Sequence, residues 1–439
     1  MTGGLVNVRC QLPGPRSKQL FERWSQVEAQ CAGYQAKVVW EKALGVMVTD
    51  VDGNTFLDWT SGVLVTNVGH CHPDLVKAIQ RACEKLLNNY ECLTEARVEA
   101  AEKLISVLPA HLDKCFFFST GSEATEAALR VMKRKSGKFE IISFYGAFHG
   151  RTYAALSAGG LPGPKKGYGP TVPGSIRVPY PNCYRCPLRA KPETCDFLCL
   201  DYLDDAVRAN STGSLAGVIV EPYQGAAGFI FPPEGWLSRL EEWIRSHNLL
   251  FTLDEVQSSF GRTGKFFAME WEGLTPDVVC IGKGIGSGVP VSAIAARGEV
   301  LAVLKSGDMS STMGGNPVAS EAVVAVVDIM RRERLEENAL LIGRIMKDRL
   351  REMMGRNSYL GDVRGMGLVM GVELVKDKTT KEPAPELAKK LIDLAAQHGL
   401  LIGAVGAFGN VIRVAPPLVI SEEQAKESLD IFERALDQL

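Results

Sequence analysis

The 439-residue chain has no apolar run long enough to span a membrane and no cluster of basic residues. A spanning helix needs about 20 consecutive apolar residues, and nucleic acids or anionic membranes attract clustered Lys and Arg, whereas the net charge here is −2. Residues 1–16 contain no apolar core of the kind found in secretory signal peptides. These absences predict a cytoplasmic protein that binds neither nucleic acid nor membranes.

Signatures of two common nucleotide-binding classes are also missing. No G-x-G-x-x-G follows an early strand with an acid about 20 residues later, which argues against an NAD-dependent dehydrogenase. No Lys-Ser/Thr pair follows the glycine spacing of a Walker loop. The chain is not poor in cysteine, but its eleven cysteines are expected to be thiols and not disulfides if the protein is not exported.

Short apolar runs alternate with helical patterns between about residue 70 and residue 315. The runs are almost continuously apolar, which is typical of a parallel sheet covered on both faces, and the alternation predicts βαβ units. Strands are predicted at 139–143, 215–220, 249–253 and 278–281, and a helix at 236–247. The sequence therefore predicts an α/β fold with a large, mostly parallel-sheet domain.

The pattern changes on either side of this region. A helix at 17–30 and a hairpin near residues 52–53 precede it. After about residue 320 the pattern predicts a smaller α/β lobe with helices at 335–354 and 386–398 and strands at 367–375 and 411–414. Ser421 and Gln424 have the spacing of a capping box, which predicts a final helix that ends at about residue 435. We therefore expect an N-terminal segment (1–64) that packs with the small domain, a large cofactor-binding domain (65–320) and a small C-terminal domain (321–439).

Reactive side chains follow three of the predicted strands. Glu221, Asp254 and Lys283 each stand at or just after the carboxyl end of a strand. Ligands of open α/β sheets bind at this edge, so these side chains are predicted to converge on one site. A lysine amine can form a Schiff base with an aldehyde, and a carboxylate can keep a pyridine nitrogen protonated. The alternatives are a solvated lysine in a glycine loop and an N-cap aspartate.

A phosphate-suited turn opens the helix predicted after Thr120. Thr120 and Glu123 have the spacing of a capping box, and Gly121 and Ser122 would present N–H groups and a hydroxyl to a phosphate. Taken alone, this is an ordinary capped helix. Together with a strand-end lysine and a strand-end acid, it predicts pyridoxal 5′-phosphate as the cofactor.

Three further positions have a functional and a structural interpretation. Phe148, beside His149, could stack on a pyridine ring or simply belong to the core. Thr312, in a glycine turn, could add a ligand to the phosphate. Arg413 is a lone arginine in an apolar strand, where it would bind a carboxylate or form a structural ion pair.

Four cysteines lie in a proline-rich loop, in the pattern Cys183-x2-Cys186-x8-Cys195-x3-Cys199. The first pair has the spacing of metal ligands, and four thiols could hold zinc or an iron–sulfur cluster. The second pair is spaced more loosely than in a zinc ribbon. Free or redox-labile thiols are the alternative, and no metal is predicted.

These motifs, in this order, resemble the class III aminotransferases, which are fold-type-I pyridoxal-phosphate enzymes that include 4-aminobutyrate and ornithine aminotransferases. The resemblance extends from 69–73 (GHCHP) to 413–417 (RVAPP). It is most specific in 253–257 (LDEVQ), in 261–264 (GRTG) and in the glycine loop around Lys283.

The resemblance implies a role for each residue of the cofactor site. Lys283 would carry the cofactor as a Schiff base and shuttle a proton in a ping-pong transfer of an amino group from an amino acid or amine to a 2-oxo acid. Asp254 would pair with the pyridinium and Gln257 with the phenolic oxygen. The ring would lie between Phe148 and Val256, with His149 and Glu221 also at the cofactor.

The resemblance also implies a homodimer or higher oligomer with shared active sites. Gly121 and Ser122 would bind the phosphate together with Thr312 of a neighbouring subunit. Arg413 would bind the substrate carboxylate. Substrate choice would depend on the pocket around Val63 and Tyr90 and on the partner's loop.

One position departs from the relatives that pair ω-amino donors with 2-oxoglutarate. Those relatives usually carry a glutamate two residues after the glutamine of 221–225 (EPYQG), and it neutralises the carboxylate-binding arginine. Here the position is Ala226. We therefore expect Arg413 to stay available in both half-reactions, which favours an α-amino acid or a pyruvate/alanine couple.

Class III amino-acid racemases and dialkylglycine decarboxylase depart from the pattern in a similar way. The segment 361–378 also resembles dialkylglycine decarboxylase. A racemase or a decarboxylating transaminase is therefore the alternative function. The three reactions differ in which bond to the substrate Cα is broken and in where the proton returns, and the sequence leaves this choice open.

Overall fold

The computed structural model describes residues 5–31, 33 and 35–439. They form two compact units: residues 73–334 are the larger, and residues up to 72 together with 335–439 are the smaller. The chain passes between the units at 72/73 and 334/335, later than the expected boundaries at 64/65 and 320/321. The helix Pro317–Glu333 accounts for the second difference, because it packs on the helices Pro73–Lys85 and Glu95–Ile105 of the larger unit.

A mixed sheet forms the centre of the larger unit. Within the described residues it has seven strands, in the order Lys114–Phe118, Ser292–Ala296, Val278–Ile281, Leu250–Asp254, Leu215–Val220, Glu140–Phe144 and Ser175–Val178. The strand Ser292–Ala296 is antiparallel to both neighbours, and all the other pairings are parallel. The predicted mostly parallel sheet is thus confirmed, and each of its four predicted strands lies within one residue of its expected bounds.

Burial explains why these strands are apolar throughout. All six residues of Leu215–Val220 are buried, because helices cover both faces of a parallel sheet. The α-helices of this unit are Pro73–Lys85, Glu95–Ile105, Gly121–Ser136, Tyr153–Ala158, Leu198–Asn210, Trp236–Ser246, Gly298–Leu301 and Pro317–Glu333. Short 3₁₀ turns lie at Gly163–Lys165, Cys183–Arg185, Ala268–Trp271 and Lys283–Ile285.

The smaller unit contains two four-stranded sheets within the described part of the chain. One has the order Trp40–Leu44, Met47–Asp50, Thr55–Asp58 and Leu400–Leu401, so N-terminal strands pair with a C-terminal one. The other has the order Leu360–Met366, Val369–Leu374, Val411–Val414 and Gly403–Val405. Its helices are Pro15–Val27, Ser61–Leu64, Leu335–Arg356, Pro385–Gln397 and Glu422–Leu436.

Two local predictions concern the ends of helices. Thr120 and Glu123 form a reciprocal capping box at the start of Gly121–Ser136, and Ser421 and Gln424 form another at the start of the last helix. Both capping boxes are confirmed. No helix among the described residues has the length and apolar character needed to cross a membrane.

Candidate active site

A cavity of about 210 Å³ lies at the carboxyl edge of the large sheet. Nine predicted cofactor residues line it: Gly121, Ser122, Phe148, His149, Glu221, Asp254, Val256, Gln257 and Lys283. The parallel strands ending at Val220, Asp254 and Ile281 deliver three of these side chains to one place. Sequence positions as far apart as 121 and 283 therefore line one cavity.

Asp254 is held by hydrogen bonds on both carboxylate oxygens. One oxygen lies 2.7 Å from His149 Nδ1, and the other accepts the N–H of Val256 at 3.1 Å. The chain after Asp254 runs in turns, so the alternative of a helix N-cap does not hold. His149 is buried, and burial opposes its charged form, but the hydrogen bond and charge of Asp254 outweigh this and raise the pKa of His149.

Glu221 connects the acidic part of the cavity to Phe148. Its Oε1 accepts the backbone N–H of Phe148 at 2.9 Å, which fixes the residue expected to stack on the cofactor ring. Burial raises the pKa of Glu221 to about 7, and the neighbouring Asp254 adds to this, while the charges of His149 and Lys283 oppose it. Glu221 thus belongs to the same electrostatic cluster as the strand-end acid and lysine.

The start of the helix Gly121–Ser136 forms another part of the cavity wall. Ser122 Oγ accepts the N–H of Arg151 at 3.1 Å. A Cβ on Gly121 would come within 2.8 Å of Val256 Cγ1, and one on Gly150 would come within 2.4 Å of Ser122 Oγ. Only glycine fits at these two positions without displacing the wall, which leaves backbone N–H groups exposed to a ligand.

Lys283 follows its strand by two residues and begins a 3₁₀ turn. It is half-buried, and its φ of 47° places its backbone in the left-handed region, which residues other than glycine rarely adopt. Such backbone conformations cluster at functional sites, because the surrounding structure must hold them in place. The lysine is therefore positioned by its loop, and the alternative of an unconstrained solvated side chain is disfavoured.

Sequence reasoning missed three residues of this cavity: Gly150, Tyr223 and Ser258. Tyr223 is buried and donates its hydroxyl to the carbonyl of Gln257 at 3.2 Å. Tyr223 lies inside the motif 221–225 (EPYQG) and Gly150 directly follows His149, so their position next to predicted cofactor residues was a usable signal. Ser258 directly follows Gln257, so its position next to a predicted cofactor residue was the same kind of signal.

Other predicted residues are not among those that line this cavity. In the larger unit, neither Thr312 nor Tyr90 lines it, and both are exposed. In the smaller unit, Val63 is 48% exposed, in a segment where residues 61 to 64 all have a positive φ.

Arg413 is buried at the centre of a sheet of the smaller unit. Its strand lies between Val369–Leu374 and Gly403–Val405. The Nε atom has no hydrogen-bond partner within the described residues. Burial lowers the pKa of Arg413 to about 10, and the charge of Asp58 opposes this shift. Asp58 is itself 2.8 Å from His70 Nε2, so the nearby acid already has a partner.

Cys183, Cys186, Cys195 and Cys199 share a second cavity in the larger unit. All four are half-buried thiols without a disulfide. In the parts of the chain that the structure describes, no group of three or more His, Cys, Asp or Glu side chains is arranged to hold a metal ion.

With this geometry established, comparison with known proteins gives the family. A family model described as "Aminotransferase class-III" matches residues 30–436. The chain belongs to this family. Class III aminotransferases depend on pyridoxal 5′-phosphate, so this enzyme is a pyridoxal-phosphate-dependent aminotransferase that acts on amino and 2-oxo acids.

The aminotransferase is similar to curated proteins of two activities. It is 37% identical to an alanine/serine racemase of Pyrococcus horikoshii, over 97% of this chain and 91% of the relative. It is 38% identical to a 4-aminobutyrate aminotransferase of Mycobacterium tuberculosis, over 96% of both chains. Among solved structures, an (S)-enantioselective omega-transaminase from Thermomicrobium roseum matches with a TM-score of 0.90 and 29% identity, over 98% of this chain and 99% of that one. The expected fold type I is thereby confirmed.

The cavity of the aminotransferase fits its cofactor. His149 Nε2 and Gln257 Oε1 are buried and have no hydrogen-bond partner in the described residues, so polar atoms in the cavity wall lack the partners that buried groups normally have. Gly121 and Gly150 leave room for a phosphate at the start of the helix Gly121–Ser136. Lys283 stands just after the end of the strand Val278–Ile281. These features are a cradle, an acid and an amine in one cavity.

Proposed function

We propose that the cavity residues bind pyridoxal 5′-phosphate and that Lys283 is the catalytic lysine. The observation that carries this proposal is the convergence of Lys283, Asp254 and the helix N-terminus at Gly121 in one cavity. When bound, the cofactor supplies an aldehyde for amines and a ring that accepts electrons from the substrate Cα. Lys283 Nζ, once released from the aldehyde, takes the Cα proton and returns it.

The other cavity residues hold the cofactor and set its charge. Gly121 and Ser122 would hold the phosphate, and Phe148 and Val256 would hold the ring. Gln257 would donate to the phenolic oxygen. We assign Asp254, oriented by His149, to the ring nitrogen, because a buried carboxylate stabilises the protonated form of that nitrogen.

We further propose that the substrate carries an α-carboxylate, which Arg413 binds. The buried Arg413 has an Nε without a partner among the described residues, and a bidentate carboxylate would satisfy such a guanidinium. Ala226 lines the cofactor cavity where an ω-amino-specific relative would carry a glutamate. With no acid at 226, the arginine keeps its charge for the carboxylate in both half-reactions. We expect Val63, Tyr90 and the partner's loop to shape the side-chain pocket.

An amino-acid racemase is the second candidate function. It is favoured by Ala226 and by the 37% identity to an alanine/serine racemase. Both reactions need the same lysine, acid and phosphate site. They differ in whether the proton taken by Lys283 returns to the cofactor carbon or to the substrate Cα.

We also propose a homodimer in which Thr312 reaches the phosphate of the neighbouring subunit. The exposure of Thr312 and its position away from its own cavity support this arrangement. We place the enzyme in the cytoplasm, where thiols stay reduced, and its eleven free cysteines support this location.

The deciding experiment is a single-turnover absorbance scan of the purified holoenzyme with single amino acids and no 2-oxo acid. The panel is L-alanine, D-alanine, L-glutamate, 4-aminobutyrate and 2-aminoisobutyrate. Loss of the visible cofactor band with one 2-oxo acid released per site establishes transamination and identifies the donor. A retained band with racemised amino acid establishes the racemase. If 4-aminobutyrate with 2-oxoglutarate has the highest kcat/KM, the inference from Ala226 is wrong.

A further inference from the structure

A second cavity of the larger unit collects four of the eleven cysteines. Its volume is about 100 Å³, and Cys183, Cys186, Cys195 and Cys199 all line it. The remainder of its wall is mainly proline, leucine and other apolar side chains. It shares no lining residue with the cofactor cavity. The function proposed above therefore gives these thiols no role.

The thiols are close enough to influence one another. Burial and then the neighbouring Cys195 and Cys186 raise the pKa of Cys183. Burial raises the pKa of Cys199 to about 11, with Cys183 and Cys195 adding to the shift, although Cys199 Sγ accepts the Trp236 Nε1–H at 3.2 Å. Cys183 and Cys195 thus face the same small cavity from two separate parts of the loop.

The backbone that carries Cys183, Cys186 and Cys195 is held by turns and not by a strand ladder, whereas Cys199 lies in the first turn of the helix Leu198–Asn210. Hydrogen bonds from Arg185 to Asn182, from Arg189 to Cys186 and from Leu198 to Cys195 each close a single turn. Between Cys195 and Cys199, the consecutive residues 196 and 197 have φ values of 38° and 60°. This segment can therefore change the spacing between its thiols without breaking a sheet or a long helix.

The arrangement favours oxidation over metal binding. Among the described residues, no three potential ligands are arranged to hold a metal ion, whereas a disulfide needs only one neighbouring pair. We propose that Cys183 and Cys195 are an oxidisable thiol pair that forms a disulfide when a low-molecular-weight disulfide, such as oxidised glutathione, acts as oxidant.

The reaction is an ordinary exchange of two thiols for one disulfide. The thiolate of one cysteine attacks the oxidant, forming a mixed disulfide and expelling one small thiolate. The thiolate of the second cysteine then attacks the protein sulfur of the mixed disulfide, closing the Cys183–Cys195 bond and expelling the second small thiolate. The protein loses two electrons and two protons, and the oxidant is reduced to two thiols.

A continuous set of contacts joins this pocket to the cofactor cavity. Trp236, which donates to Cys199, packs on Tyr180 with ring centroids 5.4 Å apart. Tyr180 donates its hydroxyl to the carbonyls of Glu221 and Pro222 at 3.1 and 3.2 Å. Glu221 in turn holds Phe148 in the cofactor cavity. Closing a disulfide beside Cys199 would therefore shift Tyr180 and the carbonyl it holds.

The test is to incubate the holoenzyme with oxidised glutathione from pH 7 to pH 9 and to map disulfides by mass spectrometry of a non-reduced digest. We expect a cross-link between Cys183 and Cys195 whose rate rises with pH, because the thiolate is the reactive form. Cys183→Ser and Cys195→Ser should each abolish it. The matched control Cys83→Ser removes an exposed thiol of the same unit and should leave it intact.

Two results would overturn the thiol pair, and neither depends on enzyme activity. One is that wild-type protein forms mixed disulfides at exposed cysteines but no cross-link within the loop. The other is one zinc ion bound per chain and lost in Cys183→Ser, because the thiols would then be metal ligands.

The connection between the cysteine cavity and the cofactor cavity through Tyr180 is tested separately. In wild type, the cross-link should change the affinity for pyridoxal 5′-phosphate by about fivefold or more, a typical coupling between two sites. In Tyr180→Phe, which lacks the hydroxyl, the cross-link should still form, but the affinity should not respond. An equal response in both proteins would overturn the proposed connection.

Discussion

At the scale of single residues, the cofactor cavity combines three buried titratable side chains with one lysine. Asp254 and Glu221 would repel each other as carboxylates, and the charge of His149, which is hydrogen-bonded to Asp254, offsets this repulsion. The lysine adds a cationic centre at the third strand end. Such concentrations of buried charge are unfavourable for a core but typical of catalytic sites, where they set protonation states in advance.

Gly121 gives a prediction about steric fit. A Cβ there would lie 2.8 Å from Val256 Cγ1, so Gly121→Ala should push Val256 into the space of the cofactor ring. We expect the Kd for pyridoxal 5′-phosphate to rise about tenfold, in line with overpacking penalties of about 1–3 kcal/mol. Equilibrium dialysis measures this. The control Gly163→Ala, where no atom lies within 4 Å of the added Cβ, should bind like wild type, and unchanged affinity in Gly121→Ala would refute the steric argument.

Ala226 gives a prediction about substrate choice. Ala226→Glu would place a carboxylate in the cavity wall that can neutralise the arginine assigned to the substrate carboxylate. We expect kcat/KM for α-amino acid donors to fall by about tenfold or more, the range of one lost hydrogen bond to a charged group, and that for 4-aminobutyrate to rise. Steady-state kinetics on both donors checks this. Ala226→Gln has the same shape without the charge, and an equal effect in both variants would show that Arg413 does not depend on charge at 226.

At the scale of structural elements, the loop that follows Asp254 owes its conformation to one buried glutamate. Glu255 accepts hydrogen bonds from the Ser258 hydroxyl and from the N–H groups of Ala268 and Met269, which are 13 and 14 residues away. This acid ties the segment carrying Val256 and Gln257 to a later 3₁₀ turn. The strand end supplies Asp254, the acid that we assign to the ring nitrogen, and its neighbour Glu255 holds the loop in place.

Glu255 also predicts a dependence of stability on pH. Burial raises its pKa to about 7, although these hydrogen bonds oppose the shift. The folded state then keeps a proton that the unfolded state loses near pH 4.5, so the contribution of Glu255 to stability is full below about pH 4.5 and is lost as pH rises through 7. Wild type should exceed Glu255→Gln in its urea unfolding midpoint by more at pH 5 than at pH 8. The free-energy difference between these pH values should not exceed about 3 kcal/mol, and a difference that grows with pH would contradict the assignment.

At the scale of the whole molecule, the proposed shared site predicts complementation between two inactive chains. Thr312→Ala should weaken cofactor binding by about tenfold or more through the loss of one phosphate hydrogen bond, and Lys283→Ala should abolish turnover. A mixed dimer of the two variants, isolated with two affinity tags, has one site in which both residues are intact. We expect it to regain about half of wild-type activity at low cofactor concentration, a gain that follows from the geometry of a shared site.

The two parent dimers are the controls for this experiment. Each should stay inactive or weakly binding under the same conditions. A mixed dimer no better than its parents, or a Thr312→Ala protein that binds the cofactor like wild type, would show that Thr312 does not serve a neighbouring subunit.

Local patterns in the sequence were enough to predict the strands of the large sheet, two helix starts and most residues of the cofactor cavity. The four predicted strands of the large sheet lie within one residue of their expected bounds, because continuous apolar runs have few alternatives to a buried parallel strand. The capping boxes at Thr120 and Ser421 could be read from four residues each. Glu221, Asp254 and Lys283 met because strand ends of a parallel sheet share an edge.

Contacts between distant segments could not be predicted from the sequence and became visible in the folded chain. Glu255 holds residues that lie 13 and 14 positions later, and Tyr180 reaches the carbonyl of Glu221 across 41 positions. The four cysteines share a cavity whose walls no spacing rule specifies. The helix Pro317–Glu333 belongs to the larger unit because of the helices it packs against. Local patterns report the conformation of the chain within a few residues, whereas such contacts depend on how distant segments pack together.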